Sequence, residues 1–348
     1  MRVNIKTIIG IIVLVFCFGA SYQFISTKLD AIKYPIPGKL VDIGGYKLHI
    51  HCSGQGKPSV ILDAGGNGFS LVWTLVQPEI AKFAHVCSYD RAGMGWSEMS
   101  PLSRTSQHMV KELHDLLHNA GIATPYILVG HSLGGINMRL YANTYPDEVF
   151  GLVLVDSSHE LQIKRIQELT KSKEIELPCD QRPAVLQRAL QWIAFSYLGQ
   201  ISGMNRLYLR STYKDFTVNS PESIRPAYIA RLLVPSSSHT MAQEGEHFAE
   251  SLKQLETAKN LLDDKPLIVV TRGKAVDPTD PKELCKYLTD FNDKIWLPLQ
   301  KDLVSKSTRG KQVIAEKSCH MIPYCQPEII VAAVKEIVDE YKNLPREK

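Results

Sequence analysis

Apolar residues follow two rhythms along this chain. Tyr126–Gly130 (YILVG), Val149–Val155 and Pro266–Thr271 (PLIVVT) are short runs that are apolar almost throughout, and Ser59–Leu62 and His85–Tyr89 read as two further short strands. That is the pattern of strands buried on both faces. Between them, Val110, Leu113, Leu117 and Ala120 recur at helical spacing, with Thr105 or Ser106 able to cap the start and Gly121 to end the helix. Helices are also predicted from about Leu71 to Phe83 and from Leu133 to Tyr145, where Pro146 stops the second. Lys39–Ile43 and Tyr46–Cys52 read as a strand pair turning at Gly44-Gly45. Near the end come a strand at Gln312–Glu316 and a helix opening at Pro327, with the stripe Ile330, Val334, Ile337 and Tyr341. Apolar strands alternating with amphipathic helices predict an α/β fold: a mostly parallel, doubly wound sheet with helices on both faces.

The alternation breaks after Asp156. Residues 157–264 show mainly helical patterns and no convincing strand. The rhythm then resumes, with 281–305 largely helical. The expected organisation is one core built from 39–156 and 265–348, carrying a helical insertion at 157–264. At the front, Arg2 and Lys6 precede the apolar run Thr7–Ala20. Residues 1–25 therefore read either as a signal peptide cleaved after Ser21 or as a retained membrane anchor. Both readings export the remainder of the chain. Pro35 and Pro37 mark 26–38 as a linker.

Composition narrows the function classes. The chain is 44% hydrophobic and 22% charged, sufficient for a real core. Its net charge of +4 is the small difference between 40 basic and 36 acidic residues, without a long basic run, so nucleic acid is not an expected partner. No C-x-x-C occurs among the seven cysteines, which argues against a zinc site or a redox dithiol. No metal and no organic cofactor is expected.

The chemistry concentrates in Gly130-His131-Ser132-Leu133-Gly134. A G-x-S-x-G sequence is common by chance, but this one directly follows an apolar strand and directly precedes a helix. A serine on so sharp a turn leaves no room for side chains two residues away, which explains the flanking glycines. Ser132 is thus the candidate nucleophile, and it needs a base. His320 lies between the last strand and the last helix, in SCHMIP, where a loop can reach back over the sheet edge; His239 and His247 fall in the insertion. Two carboxylates can orient His320. Asp156 ends a strand, and such rigid support favours it. Asp277, after PLIVVTRGKAV, remains the alternative acid. The backbone N–H of Leu133 is one expected oxyanion donor, and that of Gly66, in the loop DAGGNG, the second.

SYDRAGMGWS, YILVGHSLGG, YPDEVFGLVLVD and SCHMIP together resemble the α/β-hydrolase superfamily, in particular its esterase- and lipase-like serine hydrolases. The resemblance spans roughly residues 39–345 apart from the insertion. It implies an eight-strand sheet with 157–264 as a cap over the site, and a triad in the order serine, acid, histidine. The His-Gly usual in the oxyanion loop is replaced here by Ala64-Gly65. In that fold the second strand neighbours the fourth, so Cys52 and Cys87 either pair or sit buried as thiols. The implied reaction is hydrolysis of a carboxylic ester through an acyl-enzyme. An amidase, peptidase or thioesterase would share the same residues, and a non-catalytic ligand-binding protein on this fold is the alternative of another class. A serine at this position argues against the epoxide-hydrolase and dehalogenase branches, which use aspartate. The apolar stretch Leu186–Leu209 suits an apolar acyl group or the cap's own core. The expected partners are a small-molecule ester and, through the N-terminal segment, a membrane.

Overall fold

The computed structural model describes residues 4–175, 199, 201–207, 220–258, 262–274 and 290–345. Its centre is an eight-stranded sheet. The strands are β1 (Lys39–Asp42), β2 (Lys47–Ser53), β3 (Ser59–Asp63), β4 (His85–Tyr89), β5 (Tyr126–His131), β6 (Val149–Val155), β7 (Leu267–Arg272) and β8 (Gly310–Ala315). They lie in the order β1-β2-β4-β3-β5-β6-β7-β8, and β2 runs antiparallel to both of its neighbours while the others are parallel. Cys52 and Cys87 are direct partners in the β2–β4 register and form a disulfide. Strand adjacency decides between the two states that the sequence leaves open.

Alternation along β5 shows why its run is apolar throughout. Tyr126 and Leu128 join one core cluster with Leu113, Leu117 and Ile136, while Ile127 and Val129 join a second with Val334, Ile337 and Trp73. Helices cover both faces. They are α1 (Ile5–Lys33), α2 (Gln77–Ile80), α3 (Ser106–Asn119), α4 (Leu133–Thr144), α5 (Gln162–Lys171), α6 (Arg225–Leu232), α7 (Pro235–Glu246), α8 (Phe248–Thr257), α9 (Leu297–Val304), α10 (Ile322–Cys325) and α11 (Pro327–Lys342). α3 and α4 pack on the first face, α2 and α11 on the second. The described part of the 157–264 insertion holds α5 to α8 and no strand. Most of the apolar stretch 186–209 lies outside the described residues.

Two expectations need correction. The segment 26–38 is not simply a linker, because α1 continues unbroken to Lys33. Ser26–Lys33 contains neither glycine nor proline, and Pro35 then forces Tyr34 out of helical conformation. The helix predicted over 71–83 is two short pieces, a 3₁₀ turn at Ser70–Trp73 and α2. Pro78 lacks the N–H that one continuous helix would use there, and sits instead in the first turn of α2.

Candidate active site

Ser132 stands between β5 and α4 with φ +52° and ψ −117°, a left-handed conformation costly for a residue with a Cβ. Its neighbours permit it. A Cβ on Gly130 would come within 2.4 Å of the Gly134 carbonyl, and one on Gly134 within 2.5 Å of the Asp63 carbonyl. The turn is also tied to β6: Ser132 N–H donates to the Val155 carbonyl (3.1 Å), and the Ser132 carbonyl accepts from Ser158 N–H (3.0 Å).

Asp156 follows β6 with φ +41°, and its N–H donates to the Val270 carbonyl at 2.7 Å. Its side chain is fully buried. Oδ2 accepts from His320 Nδ1 at 2.6 Å, and Oδ1 accepts from Trp296 Nε1 at 2.7 Å and from Arg272 N–H at 3.2 Å. Arg272 Nη1 lies 3.3 Å from Oδ2. Burial alone would raise the Asp156 pKa, but the His320 hydrogen bond, the charges of His320 and Arg272 and the Trp296 bond outweigh it and hold the carboxyl below its ordinary range. The group is therefore an anion positioned by four donors. The His320 ring that donates through Nδ1 keeps Nε2 for a proton taken elsewhere.

Ser132 and His320 line one cavity of about 640 Å³ at the C-terminal edge of the sheet. Gly66 and Leu133 line it too, and Phe248, Phe291, Trp296 and Met241 supply apolar wall. Three sequence-predicted elements of the site thus meet here: the nucleophile, the base with Asp156, and both expected oxyanion residues. Asp277 lies outside the described residues.

Several residues acting on this cavity carry no sequence signal that assigns them a role. Arg91 is buried and gathers the glycine loop: its guanidinium donates to the carbonyls of Ala64 (2.7 Å) and Gly65 (2.8 Å) and to Asp63 Oδ1 (2.8 Å). The consequence for Gly66 follows from peptide planarity. In a trans peptide the C=O and the next N–H point in opposite directions. With the Gly65 carbonyl turned to Arg91, the Gly66 N–H points away from Arg91. On the other side of Arg91 stands Glu244 of α7, accepting from Nε at 2.6 Å and, through Oε2, from Asn67 N–H at 3.3 Å. Arg91 sits in the SYDRAGMGWS segment, but its partner in the insertion is set by tertiary contact alone. His131, inside the motif itself, is buried and donates Nε2–H to the His320 carbonyl at 2.9 Å. Burial and the nearby His320 charge push its pKa down to about 3, so it is a neutral donor that pins the His320 main chain.

Among the described residues His114, His118 and Glu148 come close enough to share a cation, but none of them lines the Ser132 cavity. No set of metal-ligand type is grouped around Ser132 among the described residues.

Comparison with known proteins agrees with this architecture. A family model described as the alpha/beta hydrolase fold matches residues 58–175, which hold β3 to β6 and the elbow. A protein of Gibberella zeae named as an AB hydrolase superfamily protein is 26% identical over 304 residues, covering 81% of this chain and 86% of its own length. A probable transporter of Hormonema carpetanum is 25% identical over 336 residues; the match covers 87% of this chain but only 43% of that protein. The solved epoxide hydrolase CorEH superposes with a TM-score of 0.59 at 17% identity, covering 87% of this chain and 98% of its own, a likeness of fold alone. With its sheet order, its strand–elbow–helix and the matched segment, the chain has the α/β-hydrolase fold.

Proposed function

We propose that this protein is a serine hydrolase that cleaves a carboxylic ester through an acyl-enzyme. The observation that carries the reading is the 2.6 Å bond between His320 Nδ1 and buried Asp156, on the cavity that Ser132 also lines. Ser132 Oγ attacks the ester carbonyl while His320 Nε2 takes its proton. The same proton passes to the departing alkoxide, and His320 next removes a proton from the water that cleaves the acyl-enzyme. Asp156 holds the ring and balances the imidazolium. The N–H groups of Leu133 and Gly66 receive the oxyanion, the first at the N-terminus of α4, where such donors have no helical partner. The aromatic and methionine wall of the cavity favours an ester with an apolar acyl part.

The same proposal places the catalytic domain outside the cytosol and tethers it to a membrane through α1. A disulfide favours an oxidising compartment. α1 is long and apolar enough to cross a bilayer, and its apolar stretch is almost wholly exposed.

Labelling with a fluorophosphonate tests the chemistry. The native chain should be modified on Ser132, and Ser132→Ala should take no label while keeping its circular dichroism. An equally labelled Ser132→Ala, or a folded native chain that takes no label, would sink the reading.

A further inference from the structure

α1 is apolar at one end and docked at the other. From Gly19 onward it packs against the cap. The two backbones meet so closely that a Cβ on Gly19 would lie 2.1 Å from the Ser202 carbonyl. Beyond that contact a polar network joins helix and cap. Buried Gln23 donates through Nε2 to the Leu233 carbonyl (2.8 Å) and accepts through Oε1 from Arg206 Nε (3.1 Å). Arg206, also buried, donates to Asp30 Oδ2 at 2.6 Å. Arg231 and Trp96 donate to the Tyr34 carbonyl at 3.2 and 3.3 Å. Gln23 and Asp30 thus bond to the cap, whereas Lys28 and Lys33 are exposed.

Phe24 65%, Ile25 56% and Leu29 60% are exposed on α1, with Lys28 among them, and Leu207 64% and Met204 40% are exposed on the cap segment that meets the helix at Ser202 and Gly203. Length decides what covers these apolar residues. Between Lys6, whose charge belongs at a water boundary, and Gly19, where the cap begins, α1 rises only about 20 Å at ~1.5 Å per residue. A bilayer's hydrocarbon core is ~30 Å thick. The missing ~10 Å carries the boundary to about Phe24–Ile25, past the level at which Ser202 and Gly203 meet the helix. Lys28, stacked over the Phe24 ring at 5.6 Å, then stands at headgroup depth.

From this we infer that the cap is seated in the outer leaflet, with Met204, Leu207, Phe24 and Ile25 in contact with lipid. The inference rests on the tether reading above and adds an orientation to it: the domain meets the bilayer cap-first rather than hanging from a free stalk. The competing accommodation is local thinning of the bilayer to the ~20 Å of free helix.

The test uses the full chain in phosphatidylethanolamine–phosphatidylglycerol vesicles doped with a phospholipid bearing a diazirine in its acyl tail. Adducts are mapped by peptide mass after illumination. Expected are adducts on α1 beyond Gly19 and, in comparable yield, on the peptide containing Met204 and Leu207, with none on the core peptide containing Lys82. Adducts confined to Ile5–Phe18 would overturn the seated cap while leaving the tether in place. No adducts on α1, or a mature chain beginning at Tyr22, would overturn the tether itself and the seat with it.

Discussion

The two halves of the site are built in opposite ways. The elbow around Ser132 is local: six contiguous residues, GHSLGG, hold both the strained serine and the glycines that relieve its crowding. The histidine–carboxylate half is assembled from distant places, with Asp156 from the end of β6, Arg272 from β7, Trp296 just before α9, His320 from the loop after β8, and His131 reaching across from the elbow. A local device depends on steric fit, so it tolerates almost no added atoms. An assembled device depends on charge and hydrogen bonding, so it is sensitive to changes that conserve volume. Substitutions can separate these two kinds of fragility.

The largest effect is expected from Asp156→Asn. It keeps the shape but removes the charge that holds the His320 tautomer, and kcat/KM should fall by about 10³–10⁴-fold. Asp277→Asn, measured in the same assay, should stay within about twofold of the native rate. The opposite pattern would move the acid to Asp277 and undo the assembled half as described. Next comes Gly134→Ala, which attacks the local half. Its added methyl meets the Asp63 backbone carbonyl, and backbone cannot swing aside as a side chain could. A loss of about 1–3 kcal/mol is expected, visible as a thermal midpoint several degrees lower. An unchanged midpoint would show that the elbow is looser than its steric fit implies.

The smallest effect should come from Glu244→Gln, at the junction between cap and glycine loop. Asp63 still balances the Arg91 guanidinium in that variant, so the fold should survive. The glycine loop loses only one of its supports. A decrease of about three- to tenfold in kcat with KM little changed is expected, since an oxyanion donor acts on the transition state more than on bound substrate. A change in KM alone would instead place Glu244 in ground-state binding.

Much of this was legible in the sequence because it is written locally. The elbow is a contiguous motif, and the buried strands of a parallel sheet announce themselves as apolar runs, as YILVG and PLIVVT do. His320 could be found because chain order alone sets it after the last strand. The segment 26–38 and the stretch 71–83 depart from the pattern for local reasons too: the stop that matters is Pro35 rather than the end of the apolar run, and Pro78 divides what periodicity alone joins.

What the sequence determined by itself is therefore the α/β alternation, the position of the insertion, the serine on its turn and the histidine opposite. These follow from periodicity and from backbone conformations that only certain residues adopt. The tertiary structure brought Asp156 to His320, bonded Cys52 to Cys87, turned the glycine loop towards Arg91 with Glu244 of the insertion beside it, and docked the second half of α1 on that insertion. Each is an encounter between segments tens to hundreds of residues apart. Their distances are fixed by strand order and packing, which no local pattern records.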